Sequence, residues 1–343
     1  MYSSKSILLS SWFLPIRILL SGLYFIVITL RNYFYNSGIF KIHKIETPVI
    51  SVGNISAGGS GKTILVQSLL EYFLNQNRKP AVLSRGYGRS TSGLFLVADE
   101  NALIGDPKSS GDEPFLIAKN HPGIPIVVSE NRVIGARYLE DEFHPDVIIL
   151  DDGFQHRRLY RDLDLILIDQ PENRRGHLIP WGYLREPFSN QNRADLIIYS
   201  KGGLREKASS NLIISLEDRV FDHSGNTLSL DELTGDYGVF AGLGNPDYFF
   251  KSIQEHHYTP LTRISFPDHA EYNLDERGVI AEPGCAYWLT TQKDFIKLDA
   301  EFCQQHNIYY IALQTRLPIA LIDQLKQNFN WSSATPNAPS GHK

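Results

Sequence analysis

The sequence of 343 residues contains only two cysteines, Cys285 and Cys303. Two cysteines are too few for a disulfide framework and lack metal-ligand spacing, so we expect a reducing cytosolic setting in which both are packing residues. A strong positive charge is also absent, since the formal net charge is −5. This balance argues against a general nucleic-acid-binding protein, which would present a basic main body.

Acidic residues are missing from the first 45 positions, which carry five lysines and arginines. The rest of the chain therefore has a net charge of −10. An almost wholly apolar run covers residues 7–30 and is long enough, at about 1.5 Å per residue, to cross a hydrocarbon core of about 30 Å. Pro15 and Arg17 interrupt this run, and an arginine in mid-membrane costs about 2.5–3.5 kcal/mol.

Three interpretations of this segment stay open. A full membrane crossing and a broken helix in one leaflet, with aromatic residues near the interface, fit equally well. A cleaved secretory signal is the third, but its small-residue cleavage pattern is weak. Basic flanks at Arg31, Lys41 and Lys44 suit an anionic cytoplasmic surface. We predict a membrane-associated helix over residues 1–35.

From residue 48 onward, short apolar runs that end in glycine or acid alternate with helical stretches. This alternation is typical of an α/β fold with a parallel sheet flanked by helices. The predicted strands cover residues 49–52, 81–84, 126–128, 147–150, 163–168 and 196–199. An amphipathic helix is predicted over residues 63–75. A second strand–helix set begins near Tyr237, with a helix over residues 247–255 and a strand over residues 287–290.

The length predicts two folded domains, because domains usually contain about 100–200 residues. We place the larger domain over residues 36–222 and a smaller α/β domain over residues 223–330. Residues 331–343 are rich in Ser, Pro, Asn and Gly and are predicted to be a disordered tail.

A glycine-rich loop joins the first predicted strand to the first predicted helix, which is the context of a phosphate-binding P-loop. The predicted nucleotide-binding residues are Ser56, Ala57, Gly58, Gly59, Ser60, Gly61, Lys62 and Thr63. Backbone N–H groups would surround the β- and γ-phosphates, Lys62 would bridge phosphates, and Thr63 would ligate Mg²⁺. Ser56 departs from the strict pattern, which has glycine there. A ligand-free glycine turn is the alternative, and Gly-Lys-Thr at a strand-to-helix junction argues against it.

Two consecutive acids, Asp151 and Asp152, follow the predicted strand over residues 147–150. A P-loop site needs an acid in this place to hold Mg²⁺ or its water. Buried strands also end in acids for structural reasons. The following Gly-Phe-Gln-His sequence, which ends at His156, favours the functional interpretation.

Further motifs occur in the order seen in tetraacyldisaccharide 4′-kinases, and over about residues 48–298 the chain resembles that family. The first half contains Ser51-Val52-Gly53-Asn54 through Gly61-Lys62-Thr63, Leu83-Ser84-Arg85-Gly86-Tyr87-Gly88, Gly111-Asp112-Glu113-Pro114, Asp151-Asp152-Gly153-Phe154-Gln155-His156 and Leu184-Arg185-Glu186-Pro187. The second half contains Ala241-Gly242-Leu243-Gly244-Asn245-Pro246, Phe266-Pro267-Asp268-His269 and Leu289-Thr290-Thr291-Gln292-Lys293-Asp294. The family commonly has Ser or Thr at Ser56, whereas Ile64 stands where it often has proline.

The resemblance implies an ATP-dependent kinase that phosphorylates the 4′-hydroxyl of a tetraacylated glucosamine disaccharide 1-phosphate in lipid A biosynthesis, with ATP and Mg²⁺ as cofactors. It also implies work at the cytoplasmic face of a bacterial inner membrane, because the acylated substrate stays in the bilayer. The expected partners are therefore the acylated disaccharide lipid and the membrane surface, with no nucleic acid and no obligatory protein partner.

Three residues are predicted to carry the chemistry. Lys62 would neutralise phosphate charge, and Asp112 matches the family position proposed as base, with His269 as its partner. Taken separately, a turn acid and a surface histidine explain Asp112 and His269 better, and the family positions reverse that preference. Because the two residues fall in different predicted domains, we expect domain closure during turnover.

Metal and substrate contacts are predicted on oxygen-rich and cationic side chains. Mg²⁺ prefers hard oxygen ligands, which makes Thr63, Asp151, Asp152 and Glu186 the candidate metal residues. The candidate substrate residues are Arg85, Arg132, Arg185 and His156. The arginines would form forked hydrogen bonds to phosphates, with ordinary structural salt bridges as the alternative. The residues themselves assign no role to Lys293 and Asp294, for which fold support is a fair interpretation.

Two other functions stay open. A membrane-associated P-loop NTPase could switch a protein partner, but guanine-specific switches add an Asn-Lys-x-Asp element, and the sequence from Thr291 to Asp294 has the wrong spacing. A non-enzymatic binding protein would leave the candidate catalytic and metal acids unexplained.

Overall fold

The computed structural model describes residues 13–57, 61–169, 176–200, 208–257, 259–268 and 270–329. Four predicted site residues lie outside these ranges, namely Gly58, Gly59, Ser60 and His269. The start of the predicted membrane helix and the predicted tail over residues 331–343 lie outside them as well.

The first described helix, α1, spans Leu14–Asn36. Pro15 lies in its first turn, where the missing proline N–H costs no intrahelical hydrogen bond. The helix is therefore continuous through Arg17, and Pro15 begins it instead of breaking it. By length and composition alone, α1 is long and apolar enough to cross a membrane. Ser21, Ile28 and Asn32 are its buried residues and lie along one stripe that faces the protein.

The first sheet contains seven strands in the order β3-β4-β2-β5-β1-β6-β7. They are β1 Val49–Asn54, β2 Pro80–Ser84, β3 Phe95–Ala98, β4 Ile126–Val128, β5 Val147–Asp151, β6 Leu163–Ile168 and β7 Leu196–Tyr199. All pairs are parallel except β3 with β4. The six strands predicted for this part of the chain are confirmed, and the α/β fold class with them. Asp151 ends β5 next to β1, so Asp151 and the following Asp152 reach the edge where the phosphate loop begins.

In the described part of the chain these strands are connected by the α-helices α2 Lys62–Asn75, α3 Pro107–Ser110, α4 Asp112–Asn120 and α5 Arg132–Phe143, and by a 3-10 helix over Phe188–Arg193. On one face of the sheet, Leu65, Leu69 and Phe73 of α2 are fully buried against β1 and β5. On the other face, α5 packs Ala136 and Leu139 against β2 and β5. The central strands are thus buried on both faces, which is why they are nearly continuous apolar runs.

The second sheet contains six strands in the order β11-β10-β12-β13-β8-β9. They are β8 Ile213–Phe221, β9 Thr227–Ser229, β10 Tyr237–Ala241, β11 Thr262–Ser265, β12 Tyr287–Thr291 and β13 Ile308–Arg316. The strands β10 to β13 pair in parallel, whereas β8 and β9 extend the sheet beyond β13 as antiparallel strands. The accompanying helices are α6 Pro246–His256, α7 Leu274–Ala281, α8 Gln292–Phe295, α9 Ala300–Gln305 and α10 Ile319–Asn328.

Helix α10 follows the last strand of the second sheet but packs on the first sheet. Leu321 and Leu325 of α10 are buried in the core of the first sheet, so the chain returns to the first domain after β13. The predicted boundary between residues 222 and 223 stays a prediction. Polar contacts join the two sheets beside α2 and α4; for example, Ser68 Oγ lies 2.6 Å from Thr315 Oγ1, and Asn120 Nδ2 donates to Gln292 Oε1 at 2.9 Å.

Candidate active site

A cavity of about 1230 Å³ opens between the parts of the chain that form the two sheets, at the carboxyl ends of β1, β2 and β5. Ligands of open α/β sheets bind at this edge, because loops and helix N-termini converge there. Ten of the predicted site residues line the cavity: Ala57, Gly61, Lys62, Thr63, Arg85, Arg132, Asp151, Asp152, His156 and Arg185. The second domain contributes Asp268 and Lys293 among others.

The described ends of the phosphate loop are held in place by backbone contacts. The Ala57 N–H donates to Tyr183 O at 2.7 Å, which fixes the chain as it leaves β1. Gly61 is the N-cap residue of α2 and has a φ of 91°, in the left-handed region that favours glycine. A side chain at Gly53 would place its Cβ 2.5 Å from Phe154 Cβ, so glycine lets the loop after β5 approach β1. The N-terminus of α2 therefore faces the cavity, where it favours an anion.

Asp152 lies between two cations at the base of this loop. Lys62 Nζ is 3.4 Å from Asp152 Oδ1, and Arg185 Nη1 donates to both carboxylate oxygens at 3.0 and 2.8 Å. Burial raises the pKa of Asp152, but Lys62 and Arg185 outweigh it and hold that pKa below its ordinary value. Asp152 is therefore ionised at neutral pH and orients the lysine that would contact phosphate.

Asp151 is only 1% exposed and has the opposite surroundings. Ser84 Oγ donates to Asp151 Oδ2 at 3.1 Å, while Oδ1 has no hydrogen-bond partner in the described part of the chain. Burial, followed by the negative charges of Glu113 and Asp152, raises the pKa of Asp151 to about 7. A buried carboxylate oxygen without a partner is a place that a cation would stabilise.

The residues present fit Mg²⁺. Within the described ranges no group of three or more His, Cys, Asp or Glu side chains forms a metal site. Mg²⁺ does not need such a group, because it usually binds through one or two carboxylates, retained waters and substrate phosphates. Thr63, Asp151 and Asp152 line one cavity beside the phosphate loop and supply such oxygens.

The predicted substrate residues Arg85, Arg132, Arg185 and His156 line the same cavity as these acids, and Arg185 contacts Asp152 directly. Arg132 is 5% exposed, and burial and Arg85 lower its pKa to about 10, so it remains charged at neutral pH. Burial and then Arg132 lower the pKa of His156 to about 4, so its imidazole is neutral. His156 Nε2 is buried without a hydrogen-bond partner among the described residues and can meet a polar ligand.

Glu186 is not brought to the cavity. Its carboxylate is fully buried and accepts hydrogen bonds from Arg31, Asn32, Asn190 and Arg193 at 2.7–3.0 Å. Burial raises its pKa, but Arg193 and the other donors hold that pKa below the ordinary value. Because both oxygens have several donors, Glu186 joins α1 to the segment before β7, and its assignment as a metal residue stays a prediction.

Asp112 begins α4 and is paired across the domain contact. Lys297 Nζ lies 2.7 Å from Asp112 Oδ2. Its neighbour Glu113, and not Asp112 itself, lines the cavity. The predicted partner His269 lies outside the described residues, so the pairing of Asp112 with His269 stays a prediction.

Comparisons with known proteins show which family the chain belongs to. A model of the family described as tetraacyldisaccharide-1-P 4′-kinase matches residues 12–330. The chain belongs to this family.

Relatives of this tetraacyldisaccharide-1-P 4′-kinase family member match along most of their length. The tetraacyldisaccharide 4′-kinase of Syntrophotalea carbinolica is 38% identical, over 81% of this chain and 82% of the relative. That of Chlorobium limicola is 35% identical, over 86% of this chain and 91% of the relative. Among solved structures, "apo" form LpxK from Aquifex aeolicus in complex with ATP is 32% identical, with a TM-score of 0.76 over 93% of this chain and 99% of that one.

Two features that the sequence did not assign lie at the same site. Glu113 was visible in the Gly-Asp-Glu-Pro motif, but nothing in the motif distinguishes which acid faces the cavity. Lys297 lies three residues beyond the family motif that ends at Asp294. Only the folded structure brings this lysine to Asp112, because the two belong to different domains.

Proposed function

We propose that this cavity transfers the γ-phosphoryl group of ATP to the 4′-hydroxyl of a tetraacylated glucosamine disaccharide 1-phosphate in lipid A biosynthesis, the reaction of its family. The observation that carries the proposal is the arrangement of Lys62 and Asp152 beside Asp151 at the N-terminus of α2. In this arrangement cationic side chains and carboxylate oxygens surround one point at the carboxyl end of β5. Such positioning and charge neutralisation are most of what phosphoryl transfer requires.

Each group at the phosphate loop would have a separate role in this reaction. Lys62 and the N-terminus of α2 would neutralise the β- and γ-phosphates. Thr63, Asp151 and Asp152 would hold Mg²⁺, which when bound supplies positive charge to the phosphate oxygens. Ser56, Ala57, Gly58, Gly59, Ser60 and Gly61 would complete the phosphate loop.

Asp112 would act as the general base, with His269 as its partner. The 4′-oxygen forms its bond to the γ-phosphorus as the bond from that phosphorus to the β–γ bridging oxygen breaks, and the hydroxyl proton passes to the Asp112 carboxylate. Because Glu113 lines the cavity and Asp112 lies behind it, we expect the domains to close before Asp112 reaches the acceptor. Closure also removes water that would compete with the lipid hydroxyl.

Arg85, Arg132, Arg185 and His156 would bind the acceptor and its existing phosphate. Arginine suits this task because its planar guanidinium forms two parallel hydrogen bonds to a phosphate. Arg132 remains a cation despite its burial, so its interaction with an anion is screened little by water.

The membrane position follows from α1 and its attachment. Leu19 is 74% exposed and Leu23 is 59% exposed, whereas Ser21 Oγ donates to Leu178 O at 2.9 Å. One face of α1 therefore binds the protein, and the other offers apolar surface to a lipid bilayer. We propose that this face holds the enzyme at the cytoplasmic face of the bacterial inner membrane, where its acylated substrate lies.

Labelled ATP, purified protein and the disaccharide lipid in detergent micelles test the function directly. We expect 4′-phosphorylated lipid, and Asp112→Ala should lower turnover by about 10²–10⁴-fold because the general base is lost. ATP affinity should stay within about threefold, since Asp112 lies outside the phosphate loop. The exposed Asp141→Ala on α5 is the matched control. ATP hydrolysis without lipid phosphorylation would favour the switch instead, and near-normal turnover of Asp112→Ala would remove that residue from the mechanism.

A separate assay tests the membrane position. The double change Leu19→Glu and Leu23→Glu should reduce cosedimentation with anionic phospholipid vesicles by at least about tenfold, while turnover on detergent micelles is retained. Leu274 is 85% exposed at the start of α7, so Leu274→Glu is a control of equal chemistry in the other domain. Unchanged vesicle binding of the double variant would contradict the role of α1.

A further inference from the structure

Lys297 lies at the contact between the two domains and is nearly enclosed. Its side chain is 8% exposed, and that of Asp112 is 15% exposed. The ammonium contacts Asp112 Oδ2 at 2.7 Å and donates to Ala270 O at 3.0 Å. Ion pairs shielded from water interact more strongly than exposed pairs, which contribute little.

The backbone that carries Lys297 is fixed by the family motif that ends at Asp294. Thr291 caps α8 by accepting a hydrogen bond from the Asp294 N–H, and Asp294 Oδ2 accepts another from the Gly242 N–H at 3.0 Å. The Lys297 N–H then donates to Asp294 O at 3.2 Å. Lys297 is therefore presented to Asp112 from a rigid turn, which gives the buried Asp294 a structural role.

We propose that Lys297 is a positioning residue for phosphoryl transfer, which holds the Asp112 carboxylate ionised and correctly oriented across the domain contact. It acts through Asp112, and its second hydrogen bond ties this carboxylate to the backbone next to His269. The inference rests on the proposed function, in which Asp112 is the general base.

Other charged groups face Asp112 without replacing Lys297. Glu113 follows it on α4, and Lys293 of α8 lies near both acids. The Lys293 ammonium, however, lies 3.3 Å from Asp268 Oδ1, so it is shared between several carboxylates. The N-terminus of α4 also favours a negative charge. Lys297 adds a directed contact, because opposite charges within about 4–6 Å favour the ionised form.

This role predicts a specific pH signature. A general base works only when it is ionised, so loss of the ammonium should move the acidic limb of the kcat/KM profile to higher pH. We expect an upward shift of about one pH unit for Lys297→Met. Lys297→Arg should keep the limb of the original protein, and Lys297→Glu should move it further upward. A purely structural lysine would lower the rate equally at all pH values.

The experiment measures kcat and KM for lipid phosphorylation between pH 5 and 9 for these three variants. We expect kcat of Lys297→Met to fall about 10–100-fold at pH 7 with ATP affinity close to the original, and thermal unfolding of each variant is measured to separate lost stability from lost positioning. Lys251→Met on α6 is the matched control, because the Lys251 side chain is 76% exposed.

The results separate the two proposals. If Asp112→Ala is inactive but the acidic limb stays in place in Lys297→Met, the role of Lys297 is overturned and the base stands. If Asp112→Ala keeps normal turnover, the base assignment itself fails. Should Lys297→Met fold poorly, Lys297→Gln replaces it, and an acidic limb that is the same for Gln and Arg would overturn the inference.

Discussion

Asp151 and Glu186 are both buried acids that the sequence predicts as metal ligands, and their surroundings are opposite. Asp151 accepts one hydrogen bond from a serine, and one of its oxygens has no partner among the described residues. Glu186 accepts hydrogen bonds from two guanidinium and two amide groups. Accordingly, the pKa of Asp151 is raised to about 7, whereas that of Glu186 is lowered.

The same chemical group, a buried carboxylate, thus has two kinds of surroundings in one fold. A carboxylate whose charge the protein leaves uncompensated costs stability and is ready for a cation that arrives with substrate. A carboxylate whose donors are built in stabilises the position of the elements that carry them. Four substitutions test this difference, beginning with the one from which the largest effect is expected.

The largest effect is expected at Asp152, the ionised neighbour of Asp151. Asp152→Asn removes the negative charge between Lys62 and Arg185, so both cations lose their ionic partner, and the proposed Mg²⁺ site loses a carboxylate. We expect turnover to fall about 10²–10³-fold, as for other preorganised electrostatic groups. The measurement is kcat for lipid phosphorylation, with Asp141→Asn on the exposed side of α5 as control. A loss smaller than threefold would place Asp152 with the structural acids.

Glu186→Gln should show the reverse pattern, with a large loss of stability and a small loss of turnover. Removing one partner of a buried ionic cluster leaves Arg31 and Arg193 uncompensated, and we expect the free energy of unfolding to fall by about 3 kcal/mol. Urea unfolding measures this change. Glu255→Gln on α6 is the control, because its pair with Lys251 is exposed. If turnover per folded molecule fell as far as in Asp152→Asn, Glu186 would belong to the reaction after all.

The comparison also shows what the sequence could predict. The sequence predicts Asp151 and Asp152 as site residues because a buried strand and its terminal acids are local features. It predicts the first sheet for the same reason. Glu186 could not be separated from them, because its donor Arg31 is 155 residues away along the chain. Lys297 was missed on similar grounds, since its contact with Asp112 exists only after the domains pack. From the sequence alone Pro15 interrupts the apolar run, whereas in the structure it lies in the first turn of α1, a position that suits proline.

The raised pKa of Asp151 should make the stability of the fold depend on pH. A raised folded-state pKa means that the native protein binds a proton which the unfolded chain has released, so this group destabilises the fold increasingly as pH rises from 3.8 to about 7. Without Mg²⁺ and nucleotide, Asp151→Asn should therefore be more stable than the original by about 1–3 kcal/mol at pH 8. The difference should vanish near pH 4. Urea unfolding in EDTA across this range gives the answer, and a less stable Asn variant at pH 8 would contradict the raised pKa.

The smallest effect is expected at Asp164, which lies between the two extremes. It is buried on β6 and has a charged hydrogen bond from a single guanidinium, that of Arg161, at 2.6 Å. Burial raises its pKa and Arg161 lowers it, with burial the stronger. Asp164→Asn loses an ion pair but also removes a buried charge, and Arg161 keeps a hydrogen bond to His156 O at 3.1 Å. We therefore expect a change in unfolding free energy within about 1 kcal/mol of zero at pH 7, because the two contributions nearly cancel. A loss as large as that of Glu186→Gln would mean that one guanidinium is enough to make a buried acid structural, and the number of built-in donors would no longer distinguish Glu186 from Asp151.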